Sequence, residues 1–380
     1  MGHKIPGRLA GLEVNLSTMS TAKEALSVLG ELFITGVPGV ELAPTTADFL
    51  KQAGIGGVIY FGPNYESPAQ IAEFSEQIQA CRGNLPLWIC VDQEGGRVQR
   101  FKKPFTRLPE AMAVGAVDSP KLAFELAEIM GRELRAVGVN VDFAPVADIH
   151  TNPKNPVIGH RAYGTTEEQV TKMVSAVLRG LLVSGVQPCV KHFPGHGDTS
   201  TDSHFSLPRI DASLDSLRER EFKPFIKAMK SRCSWIMTAH IVVPSVDPER
   251  PATLSPRFLQ EILRDELRYQ QLIVSDDMEM KAIADHFGVD EAPVLAIEAG
   301  CDLLIYRSEA GTRRAYQALE RALTEGRLSP QRVLDSAARS RALKAEVLMP
   351  YEPVVVTDVS SRIGLPEHQA LVDRIPALKP

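Results

Sequence analysis

Eight short apolar runs recur along the chain, most followed by a stretch with helical spacing, and this rhythm constrains the fold more than any other feature. The runs are ELFIT (31–35), GVIYF (57–61), PLWICV (86–91), NVDFAPV (140–146), QPCVKHF (187–193), SWIMTAH (234–240), QLIVSD (271–276) and CDLLIY (301–306). Most are continuous rather than alternating, which suits strands buried on both faces. Between them, Ser67-Pro68-Ala69-Gln70 reads as a capping box with proline at the first helical position. It opens a helix with Ile71, Phe74 and Ile78 on one face. Thr165 with Glu168 reads as a second box, ahead of Val170, Val174, Val177, Leu178 and Leu181. Further helical patterns lie near 45–53, 119–137, 213–230, 256–269, 289–299 and 311–325. Eight β and α units in this order predict an α/β fold of the (β/α)8 TIM-barrel type. A doubly wound open sheet is the alternative, but no GxGxxG follows the first strand and there is no P-loop. Residues 330–349 read as one more surface helix. The expected division is a barrel over 1–349 and a tail over 350–380, carrying Pro353, Pro366, Pro376 and Pro380, packed on it.

The remaining composition narrows the partners. Hydrophobic residues make up 44% of the 380, enough for a large core, and the formal charge of -5 gives no electrostatic reason to bind nucleic acid or anionic lipid. No run approaches the ~20 uncharged apolar residues of a membrane helix. The opening MGHKIPGRLAGLEVNLS has no apolar core or cleavage site, so a secretory leader is not expected. The five cysteines are an odd count with no CxxC, and three lie in or beside apolar runs, which predicts free structural thiols in a reducing compartment. The expectation is a cytoplasmic monomer without cofactor, metal, nucleic-acid or membrane partner.

A barrel carries its chemistry where strands end at the C-terminal mouth, and the unusual polar groups fall there. The third run leads into Asp92-Gln93-Glu94-Gly95-Gly96-Arg97-Val98-Gln99-Arg100. The fourth holds Asp142, with Asp148 and Ile158-Gly159-His160-Arg161 after it, and the fifth ends Lys191-His192-Phe193-Pro194-Gly195-His196-Gly197-Asp198. The sixth ends at His240 and the seventh at Ser275-Asp276-Asp277. Six of the nine histidines fall between 150 and 240, so the middle of the chain is the first place to look for chemistry.

In KHFPGHGDTSTDSH (191–204), Pro194, Gly195 and Gly197 exclude a regular helix, leaving a loop at the mouth. Three readings stand on the residues alone. His192, His196, Asp198 and His204 could hold a metal; the histidines could simply satisfy one another; or Asp202, two residues before His204, could orient that imidazole and raise its pKa, making a proton donor near neutral pH. In VSDDM (274–278), either aspartate could cap the next helix, and two adjacent ones allow both uses, Asp276 facing a pocket and Asp277 serving the backbone. DQEGGRVQR is either a tight Gly95-Gly96 turn with a charged rim or a carboxylate and two guanidinium groups placed for a polyhydroxylated ligand.

Taken together, DQEGGRVQR, KHFPGHGDTSTDSH and SDDMEM, in that order, resemble the β-N-acetylglucosaminidases of glycoside hydrolase family 3, over roughly residues 25–345. The nearest branch is the cytoplasmic β-hexosaminidases of bacterial peptidoglycan recycling. The resemblance implies a retaining mechanism on N-acetylglucosamine-containing muropeptides. In it Asp276 attacks the anomeric carbon and His204, oriented by Asp202, serves as acid and base. Asp92, Arg100, Arg161, Lys191 and His192 would hold the hydroxyls of the terminal sugar. A histidine acid departs from the usual pair of carboxyls about 5–5.5 Å apart in retaining glycosidases. A neutral or cationic acid also leaves room for an anionic attacker, so the motifs leave a phosphorylase open. A catalytically silent sugar-binding barrel is the reading from a different class.

Overall fold

The computed structural model describes residues 21–199 and 207–376. Eight parallel strands close into a barrel: β1 (Phe33–Gly36), β2 (Gly57–Tyr60), β3 (Trp88–Val91), β4 (Val141–Asp142), β5 (Gln187–Phe193), β6 (Trp235–Thr238), β7 (Leu272–Asp277) and β8 (Leu303–Tyr306). Each pairs with its sequence neighbour, and β1 with β8 closes the ring through Phe33 opposite Leu304 and Thr35 opposite Tyr306. The expected α/β barrel is therefore the observed fold.

The continuous apolar runs are explained by two separate clusters. Alternate strand residues, among them Ile34, Trp88, Cys90, Val141, Trp235, Val274 and Ile305, fill the barrel interior. There Trp88 and Trp235 meet edge to face at 5.0 Å. The intervening positions, such as Phe33, Val58, Ile89, Val190, Ile236, Ile273 and Leu304, pack under the helices. A strand with one face on each cluster has no polar side. All five cysteines are buried free thiols.

Several boundaries differ from the sequence pattern for identifiable reasons. The first strand begins at Phe33, because residues 29–32 form a 3-10 turn. β4 is only two residues long; Pro145 has no N–H to give the ladder, and Val146 rejoins it in a single bridge to Lys191. β6 stops at Thr238, so His240 lies two residues beyond it. The helix expected from Thr165 is capped one residue later: Thr166 Oγ1 accepts from Gln169 N, and the helix runs Glu167–Val183. Ser67 caps as expected, accepting from Gln70 N, while the Gln70 side chain accepts from Glu66 N instead of returning to Ser67. The 256–269 pattern is a wide-turned helix with i to i+5 bonding over Arg257–Glu266. In 213–230, a similar turn over Leu217–Glu221 precedes the α-helix Phe222–Lys230.

The N-terminal end of the barrel is closed by polar anchors. Asp302, fully buried ahead of β8, accepts from Arg264 at 2.6 Å, Arg339 at 2.5 Å, Arg332 at 3.3 Å, Ser336 at 3.1 Å and the Ile273 N–H at 2.9 Å. It ties the helix Pro330–Val347 to β7 and β8. Beyond that helix, Tyr351 and Val354 N donate to Glu76, and Gly364 N and His368 bond the buried Glu133. No helix among the described residues is long and apolar enough to cross a membrane.

Asp302→Ala strands three guanidinium groups around an empty site. It is expected to cost about 3–5 kcal/mol in denaturant unfolding, although Asp302 lies at the barrel end opposite the strand-end polar groups. A loss below about 0.5 kcal/mol would mean that the three arginines find other partners.

Candidate active site

At the C-terminal mouth the strand ends surround a cavity of about 810 Å³, and Asp92, Arg100, Arg161, Lys191, His192 and Asp276 all line it. Asp202 and His204 lie outside the described residues. The six described candidates are gathered into one place from the ends of β3, β5 and β7 and from the loop after β4.

The floor is an ion cluster. Lys191, at 2% exposure, contacts Asp92 Oδ1 at 2.8 Å and Glu94 Oε1 at 2.6 Å. Arg161 grips Glu94 with two bonds of 2.8 Å, and Arg100 reaches Asp92 Oδ2 at 3.4 Å. Two adjacent left-handed glycines, Gly95 (φ 100) and Gly96 (φ 55), turn the chain so that Gln93–Gly95 and Val98–Gln99 pair as a small hairpin. The buried Gln93 side chain then holds the backbone of Arg100 and Phe101. DQEGGRVQR is thus both a tight turn and a row of charges on the cavity.

From its place at a strand end Glu94 is the next candidate for a proton donor after His204, and its surroundings overturn that. Burial alone raises a carboxyl, yet Arg161 and Lys191 together hold Glu94 well below the usual carboxylate range. A group that stays ionised has no proton to give. The same contacts keep Lys191 and Arg161 charged, outweighing the burial of each. Asp92 and Glu94 are two residues apart on extended backbone, which places them on one side; that spacing is the signal the sequence offers.

A second buried carboxylate organises the next wall. Asp148 accepts from the backbone N–H of His192 at 3.2 Å and of His196 at 2.6 Å, and its other oxygen meets His192 Nδ1 at 2.7 Å. Burial raises its pKa, but His192 most of all reverses this and keeps it low. This bond turns the Nε2 edge of His192 away from Asp148. Asn155 stitches the loops after β4 and β5, donating to the carbonyls of His196 and Gly197 while accepting from Val157 and Ile158 N. Gly197 is needed here, since a Cβ at that position would lie 1.7 Å from the Ile149 carbonyl oxygen. No group of three His, Cys, Asp or Glu among the described residues is placed to hold a metal ion.

The two aspartates at the end of β7 divide their tasks. Asp277 accepts from Glu279 N at 3.0 Å and pairs with Arg307 Nε at 2.5 Å; burial still pushes it up to about 6 against that arginine. Asp276 accepts the Asp277 N–H at 2.7 Å. Burial would raise it, but His192, His240 and Lys191 hold it below the ordinary value. Asp276 is therefore an ionised, partly desolvated carboxylate facing an open cavity, which is what nucleophilic attack requires.

The state of one group beneath the floor is not legible in the sequence. Asp142 is fully buried; Oδ1 accepts from Gln93 N at 2.9 Å and Oδ2 has no partner. Burial pushes it up to about 8, against the Gln93 N–H and Lys191.

The profile of the glycosyl hydrolase family 3 N-terminal domain matches residues 27–343. β-Hexosaminidase A of Pseudoalteromonas piscicida is 34% identical over 358 residues, covering 87% of this chain and 59% of that protein. The chain thus spans about three fifths of that relative's length. A β-hexosaminidase of Pseudomonas aeruginosa is 39% identical over 292 residues, covering 75% of this chain and 85% of its own. The solved family 3 β-N-acetylglucosaminidase of Paenibacillus sp. FPU-7 superposes with a TM-score of 0.85 at 39% identity, covering 92% of this chain and 68% of that one.

The state of Asp142 has a measurable sign. Its folded pKa lies above the unfolded value, so the native state holds the extra proton and stability falls as pH rises from about 4 to about 8. Asp142→Asn removes the titration. Relative to the parent, the variant should gain several degrees in Tm between pH 4 and pH 8, measured by thermal melts across that window. Parallel profiles for the two proteins would place the carboxyl's titration elsewhere.

Proposed function

The chain belongs to glycoside hydrolase family 3, and from that premise we propose that it is a retaining exo-β-N-acetylglucosaminidase acting on N-acetylglucosamine-containing muropeptides. The observation that carries the reading is Asp276, an anionic carboxylate at the end of β7 in the cavity that holds the sugar-binding cluster. In the proposed reaction Asp276 attacks the anomeric carbon and forms a glycosyl ester, and water then releases the sugar. His204, oriented by Asp202, protonates the leaving oxygen and afterwards takes a proton from water. Asp92, Arg100, Lys191, Arg161 and His192 hold the hydroxyls of the terminal sugar.

The division of charge supports this assignment. Glu94 is committed to Arg161 and Lys191, so it supplies neither proton nor nucleophile. Asp277 is taken by Arg307 and backbone N–H groups. Among the described acids on the cavity wall, Asp92 is likewise bound to Lys191 and Arg100, leaving Asp276 as the carboxylate without a cation in contact. The N-acetylglucosaminidase and β-hexosaminidase names of the relatives support the substrate class. Five free buried thiols fit a reducing compartment, the cytoplasm.

Two measurements test the mechanism. Asp276→Asn is expected to lower turnover of an aryl β-N-acetylglucosaminide by about three orders of magnitude or more with the fold intact. A slow-deglycosylating substrate should label Asp276 in mass spectrometry; label on Asp277 overturns the assignment. His204→Ala should lose most on substrates with poor leaving groups, because a nitrophenolate of low pKa departs with little protonation. Equal losses along a leaving-group series would make His204 a binding residue instead. Free sugar as product, rather than a sugar phosphate in phosphate buffer, separates hydrolysis from phosphorolysis.

A further inference from the structure

Of the cations proposed to hold the sugar, Arg100 has the loosest side-chain contact. Lys191 and Arg161 meet their carboxylates at 2.6 to 2.8 Å. Arg100 reaches Asp92 only at 3.4 Å, and its buried Nε has no hydrogen-bond partner. Its direction therefore depends on its backbone. On one side Gln93 Oε1 accepts from Arg100 N at 2.9 Å. On the other, Gln99 Nε2 donates to the Thr106 carbonyl at 2.9 Å. Thr106 is in turn clamped by Glu133, on the helix Pro120–Ala136: its N–H donates at 2.9 Å and its hydroxyl at 2.6 Å, to different carboxyl oxygens. A chain of bonds thus runs from Glu133 to the residue before Arg100.

The C-terminal extension completes that clamp. Gly364 N and His368 Nδ1 each lie 2.8 Å from the Glu133 oxygen that accepts the Thr106 hydroxyl. Ile363, 4% exposed, anchors this turn in the core. Gly364, at φ 64, sits so close on the loop that a Cβ would lie 1.9 Å from the Pro104 carbonyl oxygen. With the extension seated, Glu133 and Thr106 are 2% and 3% exposed. Water is kept off the pair, and a hydrogen bond in a dry setting holds its partners more tightly than one that competes with solvent. None of the described residues of the extension lines the cavity, so its influence on the site is indirect.

We propose that the C-terminal extension is a positioning element for the sugar site: by covering Glu133 through Gly364 and His368 it fixes the loop 101–108, and with it the Arg100 guanidinium. The inference rests on the reading of Arg100 as a group that holds the sugar.

The experiment measures KM and kcat on an aryl β-N-acetylglucosaminide for the parent, His368→Ala, His368→Asn and Gly364→Ala. A hydroxyl contact kept from ground state to transition state shows its loss in KM. KM should rise about three- to ten-fold in His368→Ala and Gly364→Ala, with kcat nearly unchanged. Asparagine, whose amide can donate in place of Nδ1, should restore the parent value. In an Arg100→Ala background the same changes should add nothing further, because they act through that side chain. A KM that does not move, or a rise of equal size without Arg100, overturns the inference and leaves the proposed activity standing. Hydrogen exchange at the Thr106 N–H needs no substrate: it should quicken in His368→Ala, and unchanged protection overturns the inference as well. A parent that does not turn over the acetamido substrate overturns the activity instead, and the exchange still decides whether the extension holds the loop.

Discussion

The carboxylate of Glu94 is held between Lys191 and Arg161 in a setting almost without water, and the mouth of the barrel is arranged around that contact. Charges are expensive to bury unless each is met at close range. The cluster therefore requires that the hairpin after β3, the loop after β4 and the end of β5 come within hydrogen-bond distance of one another. Asp148 imposes the same condition a few ångströms on, fixing the backbone of His192 and His196 together. Three loops that could each sample many conformations are bound into one wall, and the groups facing the cavity are preorganised by contacts made behind them.

That arrangement also sorts the acids of the site by what they can do. Glu94 is ionised, and it and Asp92 are both committed to cations, which makes them binding and organising groups. Asp142, with no cation in contact, keeps its proton below about pH 8. Among the described acids of the cavity wall, Asp276 is the one ionised through neighbours that leave its carboxylate facing the cavity. In the proposed reaction this separation lets one carboxylate attack without a second negative charge beside it. The same proposal takes its proton from His204 instead.

Much of this is legible in the sequence, for particular reasons. A parallel barrel buries both faces of every strand, so its strands must be short continuous apolar runs, and GVIYF or QLIVSD can scarcely be anything else. The polar residues that follow such runs are forced to the mouth, which is why Asp92, Lys191, His192 and Asp276 stand out in the sequence alone. Boundaries are less legible where local chemistry gives two nearly equal choices. Thr165 and Thr166 are adjacent candidates for one cap, and which hydroxyl meets the helix depends on how the chain enters from the preceding loop. The two-residue β4 lies ahead of Pro145, inside a run whose composition alone reads as a full strand.

The sequence by itself determined the fold class, the position of the mouth and the residues gathered there, because hydrophobic periodicity and strand-end placement are properties of short segments. Only the tertiary structure decided the partners. Glu94 reads as one charge in a strand-end turn until Arg161, 67 residues away, is found gripping it. Glu133 is one more acid in a helical pattern until Thr106 and, from the far end of the chain, Gly364 and His368 are found bonded to it. A group's charge and hydrogen-bonding capacity depend on what lies within a few ångströms of it, and in a closed barrel those neighbours come from distant parts of the chain.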